Sequence, residues 1–341
     1  MYEESTTSSS APKMPAATID QFDIIRHIGS GAYGEVAAVR KIDGKDKNVV
    51  YAMKVMDKKR MSRHKDMVDH EWKILTTINN PFFVRMSHSF QTNRKLVFVM
   101  PLAGGGDMLS MVEREYLNET EAHFYLCELV EGVSYLHEKH ILHRDIKLEN
   151  LLIGMDGHLL LTDYGLSATH CGGDEAIEGL IGTRHTMAPE VHLGNKYGLA
   201  SDWWAVGITY CDMRSDKCLF DGEDNKEYAD NTAKKRPRFP KNLTPHERGF
   251  VNKLIVRDPT KRLGSGQKGT AEVKAHCFFK TVVWTEVLEK KLTPPFIPTA
   301  EQIANLLFFP KAANENKFPK FEENEVPILW DDVDYMDPSL I

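Results

Sequence analysis

The chain has 341 residues, of which 42% are hydrophobic and 27% are charged, and its formal net charge is −6. This is an ordinary globular composition, and the length allows one large domain of two lobes or two modest domains. The acidic balance, without a long basic stretch, gives no reason to expect a nucleic-acid-binding protein.

Cysteine usage and hydropathy bear on where the protein works. Its 5 cysteines are scattered without CxxC spacing, which is typical of reduced thiols and argues against a zinc site or a disulfide framework. No apolar run approaches the length of a membrane span, and the N-terminus has no basic-then-apolar signal pattern. We therefore expect a protein of the cytoplasm or nucleus without a membrane span.

The first part of the chain is predicted to be β-rich. Residues 1–21 are rich in Ser, Thr, Ala and Pro, and we expect a flexible tail because they offer little apolar surface to bury. From Phe22 the pattern changes to strand-like runs at 22–28, 49–55 and 96–100. Between the last two, residues 67–75 have the apolar spacing of a helix.

After the glycines at 104–106 the pattern becomes mainly helical. Residues 120–137 place their apolar side chains on one helical face, and residues 201–210 are apolar nearly all round, which predicts a buried helix. From about Thr281 the sequence is rich in Pro, Asn and acidic residues with isolated aromatics. We interpret this last part as an extended tail held by aromatic anchors.

A glycine-rich segment near the start of the β-rich part is the first candidate for chemistry. Gly29, Gly31 and Gly34 fit a turn over phosphates, but they also fit a dinucleotide fingerprint or a plain hairpin. A dinucleotide site needs a strand-to-helix turn, whereas here a second strand candidate follows, and then Lys54. This lysine could neutralise phosphate charge, and Glu71 on the predicted helix is the candidate carboxylate to hold it.

The strongest signal is the run His-Arg-Asp-Ile-Lys-Leu-Glu-Asn at 143–150, followed by an Asp-Tyr-Gly tripeptide that begins at Asp163. Asp145 can accept a proton from a hydroxyl nucleophile, and Lys147 can balance charge on a transferring phosphoryl group. Asn150 and Asp163 offer hard oxygen ligands suited to Mg²⁺. The alternative is a solvated polar loop.

In their order these segments resemble the eukaryotic protein kinase family over roughly residues 22–280. The other shared motifs are Ala188-Pro189-Glu190, Asp202-x-Trp204-x-x-Gly207 and Arg262. A lysine two residues after the aspartate, here Lys147, resembles the pattern of the Ser/Thr-specific kinases. The resemblance implies an α+β, bilobal protein-kinase fold with a small β-rich N-lobe, a large α-helical C-lobe and an extended C-terminal tail. The implied bounds are 22–100 for the N-lobe, 101–103 for the hinge, 104–280 for the C-lobe and 281–341 for the tail.

Within that family the chain is similar to the AGC group, which comprises the cyclic-nucleotide-dependent kinases, Akt and protein kinase C. It resembles in particular the N-terminal kinase domains of mitogen- and stress-activated kinases and of ribosomal-protein kinases. The segments that carry these likenesses are Asp202-Trp203-Trp204, residues 258–264, Pro294-Pro295-Phe296-Ile297-Pro298, Val39-Arg40-Lys41-Ile42, residues 145–150 and residues 157–163.

The resemblance implies ATP and Mg²⁺ as cofactors and assigns roles by position. The implied catalytic residues are Asp145, Lys147, Lys54, Glu71 and Thr183. The implied ATP-binding residues are Ile28, Gly29, Ser30, Gly31, Ala32, Tyr33, Gly34, Val36, Ala52, Lys54, Met100, Pro101, Ala103, Asp107 and Leu152. The implied metal ligands are Asn150 and Asp163, and basic residues upstream of the acceptor are expected to meet Asp107, Glu149 and Asp212. Glu190 is expected to pair with Arg262.

The activation segment departs from the family. Counting back from Thr183, the usual phosphoacceptor position is Gly179, which carries no hydroxyl. We hypothesise that Glu178 or a neighbouring acid, Asp174 or Glu175, supplies a fixed negative charge to Arg144. The alternative is a disordered acidic loop and a weakly active enzyme.

Two further segments, one that lines the substrate pocket and one in the tail, are less well matched to the family. Arg184, Met187 and the run at 217–220 differ from the residues that usually shape the pocket for the residue after the acceptor. In the tail, residues 318–322 resemble a hydrophobic motif that docks on the small lobe. The alternatives are that Trp330 or Tyr335 is the anchor, or that the aromatics patch the large lobe.

The sequence therefore predicts an ATP- and Mg²⁺-dependent protein Ser/Thr kinase of intracellular signalling, basophilic and monomeric. Its expected partners are protein substrates with basic residues upstream of the Ser or Thr, and an upstream regulatory kinase or activator. The alternatives are a pseudokinase scaffold and a small-molecule phosphotransferase, the latter disfavoured by Ala188-Pro189-Glu190 and Thr183.

Overall fold

The computed structural model describes residues 17–31, 34–169, 176–308, 321, 330 and 333–340. The chain divides into two compact units, neither of them continuous in sequence. The first unit comprises residues 1–63, 86–101 and 310–341, and the second comprises residues 64–85 and 102–309. The first is β-rich and the second is mainly helical, as the sequence predicts.

A six-stranded sheet forms the first unit. Its strands are β1 (Phe22–Gly31), β2 (Gly34–Lys41), β3 (Val50–Asp57), β4 (His88–Gln91), β5 (Lys95–Pro101) and β9 (Tyr335–Met336). They lie in the order β1-β2-β3-β5-β4-β9, and every neighbouring pair is antiparallel. The predicted strands at 22–28, 49–55 and 96–100 are confirmed as β1, β3 and β5. A one-turn helix, α1 (Lys58–Met61), follows β3.

The two faces of this sheet differ because successive side chains of a strand point to opposite faces. Along β3, Tyr51, Met53 and Val55 are buried in the core of the unit. Ala52 and Lys54 alternate with them and are half-buried on the other face. The core face continues on the neighbouring strands with Ala37, Val39, Val97, Val99, Phe90 and Phe22.

The end of the chain completes the sheet. In β9, Met336 pairs with His88 and Tyr335 with Ser89 of β4. The Ser89 hydroxyl donates a hydrogen bond to the carbonyl oxygen of Val333, whose side chain is 3% exposed. Phe321 packs against the same core. The tail therefore docks on the β-rich unit through Phe321 and residues 333–336, whereas the rest of the proposed motif at 318–322 lies outside the described residues.

Helices make up most of the second unit. They are α2 (Lys65–Thr77), α3 (Met108–Val112), α4 (Glu119–Glu138), α5 (Pro189–His192), α6 (Ala200–Arg214), α7 (Asn225–Lys234), α8 (Pro245–Leu254), α9 (Thr270–Lys274), α10 (Trp284–Leu288) and α11 (Ala300–Phe308). The helices predicted at 67–75, 120–137 and 201–210 are confirmed as α2, α4 and α6. The helices α10 and α11 lie in the segment that the sequence pattern presents as extended tail.

Sequence signals explain where two of these helices begin and how a third is buried. At the start of α4, the side chains and backbones of Asn118 and Glu121 cap each other, and Thr244 and Glu247 do the same at α8. In α6 every residue from Ser201 to Cys211 is buried. Among the described residues, no helix is both long and apolar enough to cross a membrane.

A second, three-stranded sheet lies in the helical unit. Its strands are β6 (Gly106–Asp107), β7 (Leu151–Ile153) and β8 (Leu159–Leu161), which pair antiparallel in that order. A 3₁₀ turn at Leu148–Asn150 leads directly into β7. The polar run at 143–150 therefore lies between α4 and β7, at the edge of this small sheet.

Candidate active site

The loop at 143–150 is fixed from below by a buried carboxylate. Asp202, near the start of α6, is 1% exposed. It accepts hydrogen bonds from the backbone N–H of His143 at 2.9 Å, from that of Arg144 at 3.0 Å and from Nε2 of His137 at 2.9 Å. Arg144 has a φ of 70°, a left-handed conformation that non-glycine residues rarely adopt. The hydrogen bonds to Asp202 stabilise this conformation and so orient the residues that follow.

Asp145 is the centre of a compact polar cluster. Its Oδ1 accepts a hydrogen bond from the Thr183 hydroxyl at 2.6 Å, and its Oδ2 lies 2.8 Å from Nζ of Lys147. Lys147 also donates to the Thr183 hydroxyl at 2.7 Å. The Asn150 amide donates to the carbonyl oxygen of Asp145 at 2.7 Å and to its Oδ2 at 3.1 Å. The structure thus brings four of the predicted site residues into direct contact.

The charge state of Asp145 follows from this cluster. Its burial would by itself raise the pKa of the carboxyl, but the hydrogen bonds from Lys147 and Thr183 and the nearby positive charge of Lys147 lower it below its ordinary value of 3.8. Asp145 is therefore ionised at neutral pH. A carboxylate in this state can accept a proton from a hydroxyl group that takes the place of the Thr183 hydroxyl at Oδ1.

Asn150 and Asp163, the predicted metal ligands, lie on adjoining segments. The backbone N–H of Thr162 donates to the carbonyl oxygen of Asn150 at 3.1 Å, which holds the residue before Asp163 against the loop. Asp163 itself has a φ of 65°. Tyr164 is fully buried, and its hydroxyl donates to the carbonyl oxygen of Leu161 at 2.6 Å. The amide and carboxylate oxygens present here are the hard donors that Mg²⁺ prefers, so the residues fit such an ion.

The predicted contact between Glu178 and Arg144 is wrong. Glu178 pairs instead with Lys196, at 3.9 Å between Oε1 and Nζ, and both side chains are exposed. The Arg144 guanidinium donates to the backbone carbonyl oxygens of Leu166 and Ser167. An exposed acid gains little by crossing to a guanidinium that already has backbone acceptors. Asp174 and Glu175 lie outside the described residues.

The predicted pair of Glu190 and Arg262 is confirmed. Two parallel hydrogen bonds join them, at 2.7 Å and 2.9 Å, and Arg262 is 1% exposed. Arg262 also donates to the carbonyl oxygens of Val256 and Ala200. Because both charges are buried and hydrogen-bonded, and Arg262 also contacts Ala200, the pair holds α5 against the start of α6.

The predicted ATP-binding residues of the first unit share one region of the sheet. Val36 lies opposite Lys54 in the β2–β3 register, and Ala52 lies opposite Met100 in the β3–β5 register. These residues form the face opposite the hydrophobic core. Ile28, Gly29, Ser30 and Gly31 lie at the end of β1, Gly34 begins β2, and Pro101 ends β5. Ala32 and Tyr33 lie outside the described residues.

The remaining predicted ATP-binding residues lie together in the second unit. Asp107 of β6 pairs with Leu152 of β7, and the N–H of Gly106 donates to the carbonyl oxygen of Ala103 at 3.2 Å. Lys54 belongs to the first unit, whereas Glu71, on the buried face of α2, belongs to the second. The Lys54–Glu71 pair stays a prediction.

The three carboxylates expected to meet a basic substrate differ in how they are engaged. Glu149 is exposed. Asp107 caps α3, because its carboxylate accepts hydrogen bonds from the backbone N–H and the hydroxyl of Ser110 at 2.7 Å and 2.9 Å. Asp212 lies 2.7 Å from Nε2 of His185. Of the three, Glu149 is the one whose carboxylate faces solvent.

Sequence reasoning missed two functional contacts. The Asp202 carboxylate supports the loop, and a signal for this exists, since a charged residue inside an otherwise apolar helix needs buried donors. The His185–Asp212 contact joins residues 27 positions apart. No spacing rule links such residues, so the sequence carried no signal for it.

Comparison with known proteins gives a consistent result. Residues 22–279 match the profile of the protein kinase domain family. The chain is 35% identical over 299 residues to RAC-beta serine/threonine-protein kinase B of Xenopus laevis, covering 86% of this chain and 61% of that protein. It is 34% identical over 291 residues to ribosomal protein S6 kinase alpha-3 of Homo sapiens, covering 85% of this chain and 39% of that protein. The chain thus spans less than two thirds of the length of these relatives.

Proposed function

The chain belongs to the protein kinase family, in its AGC group, and we propose that it transfers the γ-phosphoryl group of ATP to Ser or Thr hydroxyls of protein substrates. The observation that carries this proposal is the cluster of Asp145, Lys147 and Thr183. It combines an ionised acceptor of protons, a cation and a hydroxyl-sized position at Oδ1 of Asp145.

In the proposed reaction, the substrate hydroxyl donates a hydrogen bond to the carboxylate of Asp145. Asp145 accepts the hydroxyl proton as the oxygen attacks phosphorus. Lys147, 2.8 Å from the same carboxylate, balances the negative charge that passes through the phosphoryl group. Until a substrate hydroxyl displaces it, the Thr183 hydroxyl holds this position, where it donates to Asp145 and accepts from Lys147. The buried amide of Asn150 fixes the other side of the carboxylate.

The proposed cofactors are ATP and Mg²⁺. Bound Mg²⁺ supplies positive charge to the phosphate oxygens. Asn150 and Asp163 are the residues that would hold it. We assign the ATP phosphates to the glycine-rich hairpin and Lys54 in the first unit. On this sheet face Ala52 and Lys54 are half-buried. The small apolar side chain of Ala52 suits a flat aromatic ring, and the ammonium group of Lys54 suits a phosphate beside it.

We further propose that substrates carry a basic residue near the acceptor. Glu149 supports this, because its exposed carboxylate belongs to the same 3₁₀ turn as Asn150. An arginine of a bound peptide can form a charge-assisted pair with it. A role in intracellular signalling, in the cytoplasm or nucleus, and dependence on an upstream kinase or activator belong to the same proposal.

The test measures transfer of labelled γ-phosphate from Mg²⁺-ATP to a library of Ser and Thr peptides. The Asp145→Asn variant is expected to lower kcat about 10²–10⁴-fold, because it removes the proton acceptor while preserving shape. Asp216→Asn, an exposed aspartate of the same unit, is the control and should retain activity.

Other outcomes would change the assignment. Equal activity of wild type and Asp145→Asn would remove Asp145 from the mechanism. A wild-type protein that binds ATP and transfers nothing would indicate a pseudokinase scaffold. Transfer to small alcohols and not to peptides would indicate a small-molecule phosphotransferase.

A further inference from the structure

An internal ion pair stands beside the acceptor site. Nε2 of His185 lies 2.7 Å from Oδ2 of Asp212. His185 is the second residue after Thr183, whose hydroxyl contacts Asp145. A peptide whose hydroxyl reaches Asp145 must therefore pass close to His185 and Asp212.

The imidazole of His185 carries a positive charge at physiological pH. Burial would lower the pKa of the His185 imidazole, but its hydrogen bond to Asp212, together with its contact with Cys218, raises the pKa to about 10. The side chain of Asp212 is 15% exposed and that of His185 is 33% exposed. An imidazolium therefore compensates the Asp212 carboxylate, and the carboxylate offers little free charge to an incoming cation.

The backbone around His185 keeps the pair in place. The Tyr228 hydroxyl donates to the carbonyl oxygen of His185 at 2.8 Å, and Tyr228 is 5% exposed. The carbonyl oxygen of Arg184 accepts a hydrogen bond from Nε2 of His192 at 3.1 Å. Both contacts fix residues 184 and 185 against α7 and α5. His185 is consequently held over Asp212 and does not depend on a substrate to reach it.

We propose that His185 is a specificity-determining residue: it occupies Asp212 from within the chain, so that Asp212 does not select a basic substrate residue and Glu149 carries that selection. The inference rests on the proposed function, which it deepens. A substrate arginine at Asp212 would have to displace an imidazolium and would exchange one charge-assisted hydrogen bond for another. At Glu149 the arginine meets an exposed carboxylate and displaces only water.

The experiment scans peptides in which each position around the acceptor Ser is either Arg or Ala. The measured quantity is the ratio of kcat/KM for the Arg peptide to that for the Ala peptide, which cancels any general loss of activity in a variant. Wild type should favour Arg at one position, and Glu149→Gln should abolish that preference. His185→Ala should create a second Arg preference, of roughly tenfold or more, by freeing Asp212. The double variant His185→Ala, Asp212→Asn should lose this gain.

Asp212→Asn alone provides a second measurement that does not depend on the folding of His185→Ala. It should leave the Arg-to-Ala ratios within about twofold of wild type, because the imidazole loses the hydrogen bond that raises its pKa, gives up its proton and leaves the position without net charge, as before. A tenfold loss of an Arg preference in Asp212→Asn would overturn the inference, as would unchanged ratios in His185→Ala. A wild-type protein that phosphorylates none of the peptides would overturn the proposed function itself, whereas these two results overturn only the role of His185.

Discussion

The carboxylate of Asp202 receives the backbone N–H groups of His143 and Arg144 and the Nε2 of His137. Taking a carboxylate out of water costs several kcal/mol unless it is paired and hydrogen-bonded. Here three donors offset that cost, and two of them belong to the loop that carries Asp145. The interaction therefore links the stability of the helical unit to the geometry of the proposed active site.

Asp202→Asn is expected to lower the free energy of unfolding by about 3–5 kcal/mol at pH 7. The amide carries no charge, and its NH₂ group would face N–H groups that need an acceptor. Burial would raise the pKa of Asp202, but the hydrogen bond and charge of His137 and the His143 N–H lower it below 3.8. A pKa lowered by folding stabilises the protein above the unfolded value and ceases to do so as pH falls through the folded value.

The measurement is urea unfolding of wild type and Asp202→Asn at several pH values. The gap between them should be constant from pH 8 to about 5 and should narrow below about pH 4. Asp230→Asn, in an exposed pair with Lys234, is the control and should unfold like wild type. A gap that persists unchanged at pH 2 would show that the Asp202 charge is not what stabilises the fold.

At the residue scale, the sequence predicted the chemistry better than the surroundings. Asp145, Lys147, Thr183 and Asn150 were identified because their side chains suit one reaction and their order fits one family. What could not be predicted was which charged side chains are already paired within the folded chain. The sequence does not show whether the carboxylate of Asp212 has a partner, because only folding brings His185 and Asp212 together.

At the scale of elements, the β1–β2 hairpin shows a packing requirement in a segment assigned to phosphate binding. A Cβ on Gly34 would lie 2.5 Å from the carbonyl oxygen of Val55 on the neighbouring strand β3. A Cβ on Gly29 would meet no atom within 4 Å. The absence of a side chain at Gly34 is thus needed for strand packing, whatever else the glycine does.

Gly34→Ala is therefore expected to reduce the free energy of unfolding by about 1–3 kcal/mol, because the backbone of β3 must move to accept the methyl group. Gly29→Ala is the matched control and should change stability by less than about 0.5 kcal/mol. Thermal and urea unfolding of both variants measure the difference. Equal stabilities for the two variants would show that the hairpin adjusts without strain.

Elements with a strong hydrophobic period were predicted, whereas a short helix in an irregular context was not. The helices α2, α4 and α6 bury a continuous apolar face or surface, which periodicity detects. The helix α11 follows a proline-rich stretch, and the composition there favoured an extended chain. Its start does carry a signal, since the Thr299 hydroxyl accepts from the Gln302 N–H and the Gln302 side chain accepts from the Thr299 N–H.

At the scale of the whole molecule, the sheet of the first unit draws on segments that are far apart in sequence. Between β3 and β4 the chain passes through residues 64–85, which belong to the second unit, and β9 lies near residue 341. Such contacts cost more chain entropy to form than local ones. Composition predicted an extended tail with aromatic anchors. The pairing of Tyr335 and Met336 with β4 depends instead on backbone groups, which every residue possesses.

The edge strand β4 is therefore expected to depend on the last residues for its protection. Val333 is buried, its carbonyl oxygen receives the Ser89 hydroxyl, and the Asp337 N–H donates to the Ser87 carbonyl oxygen at 2.8 Å. Val333→Ala removes two methyl groups from this contact and should weaken docking by about 1–2 kcal/mol. Removal of residues 333–341 should expose the strand edge entirely.

Amide hydrogen exchange in β4 measures this dependence directly. Exchange at residues 88–91 should be roughly tenfold faster in Val333→Ala and faster still after removal of residues 333–341, because the edge opens whenever the tail leaves. Exchange in α6, which lies in the other unit, should not change. Pro338→Ala is the control, since Pro338 is exposed. Identical exchange in β4 with and without residues 333–341 would mean that β4 is protected by its pairing with β5 alone, and that β9 adds no stability to the sheet.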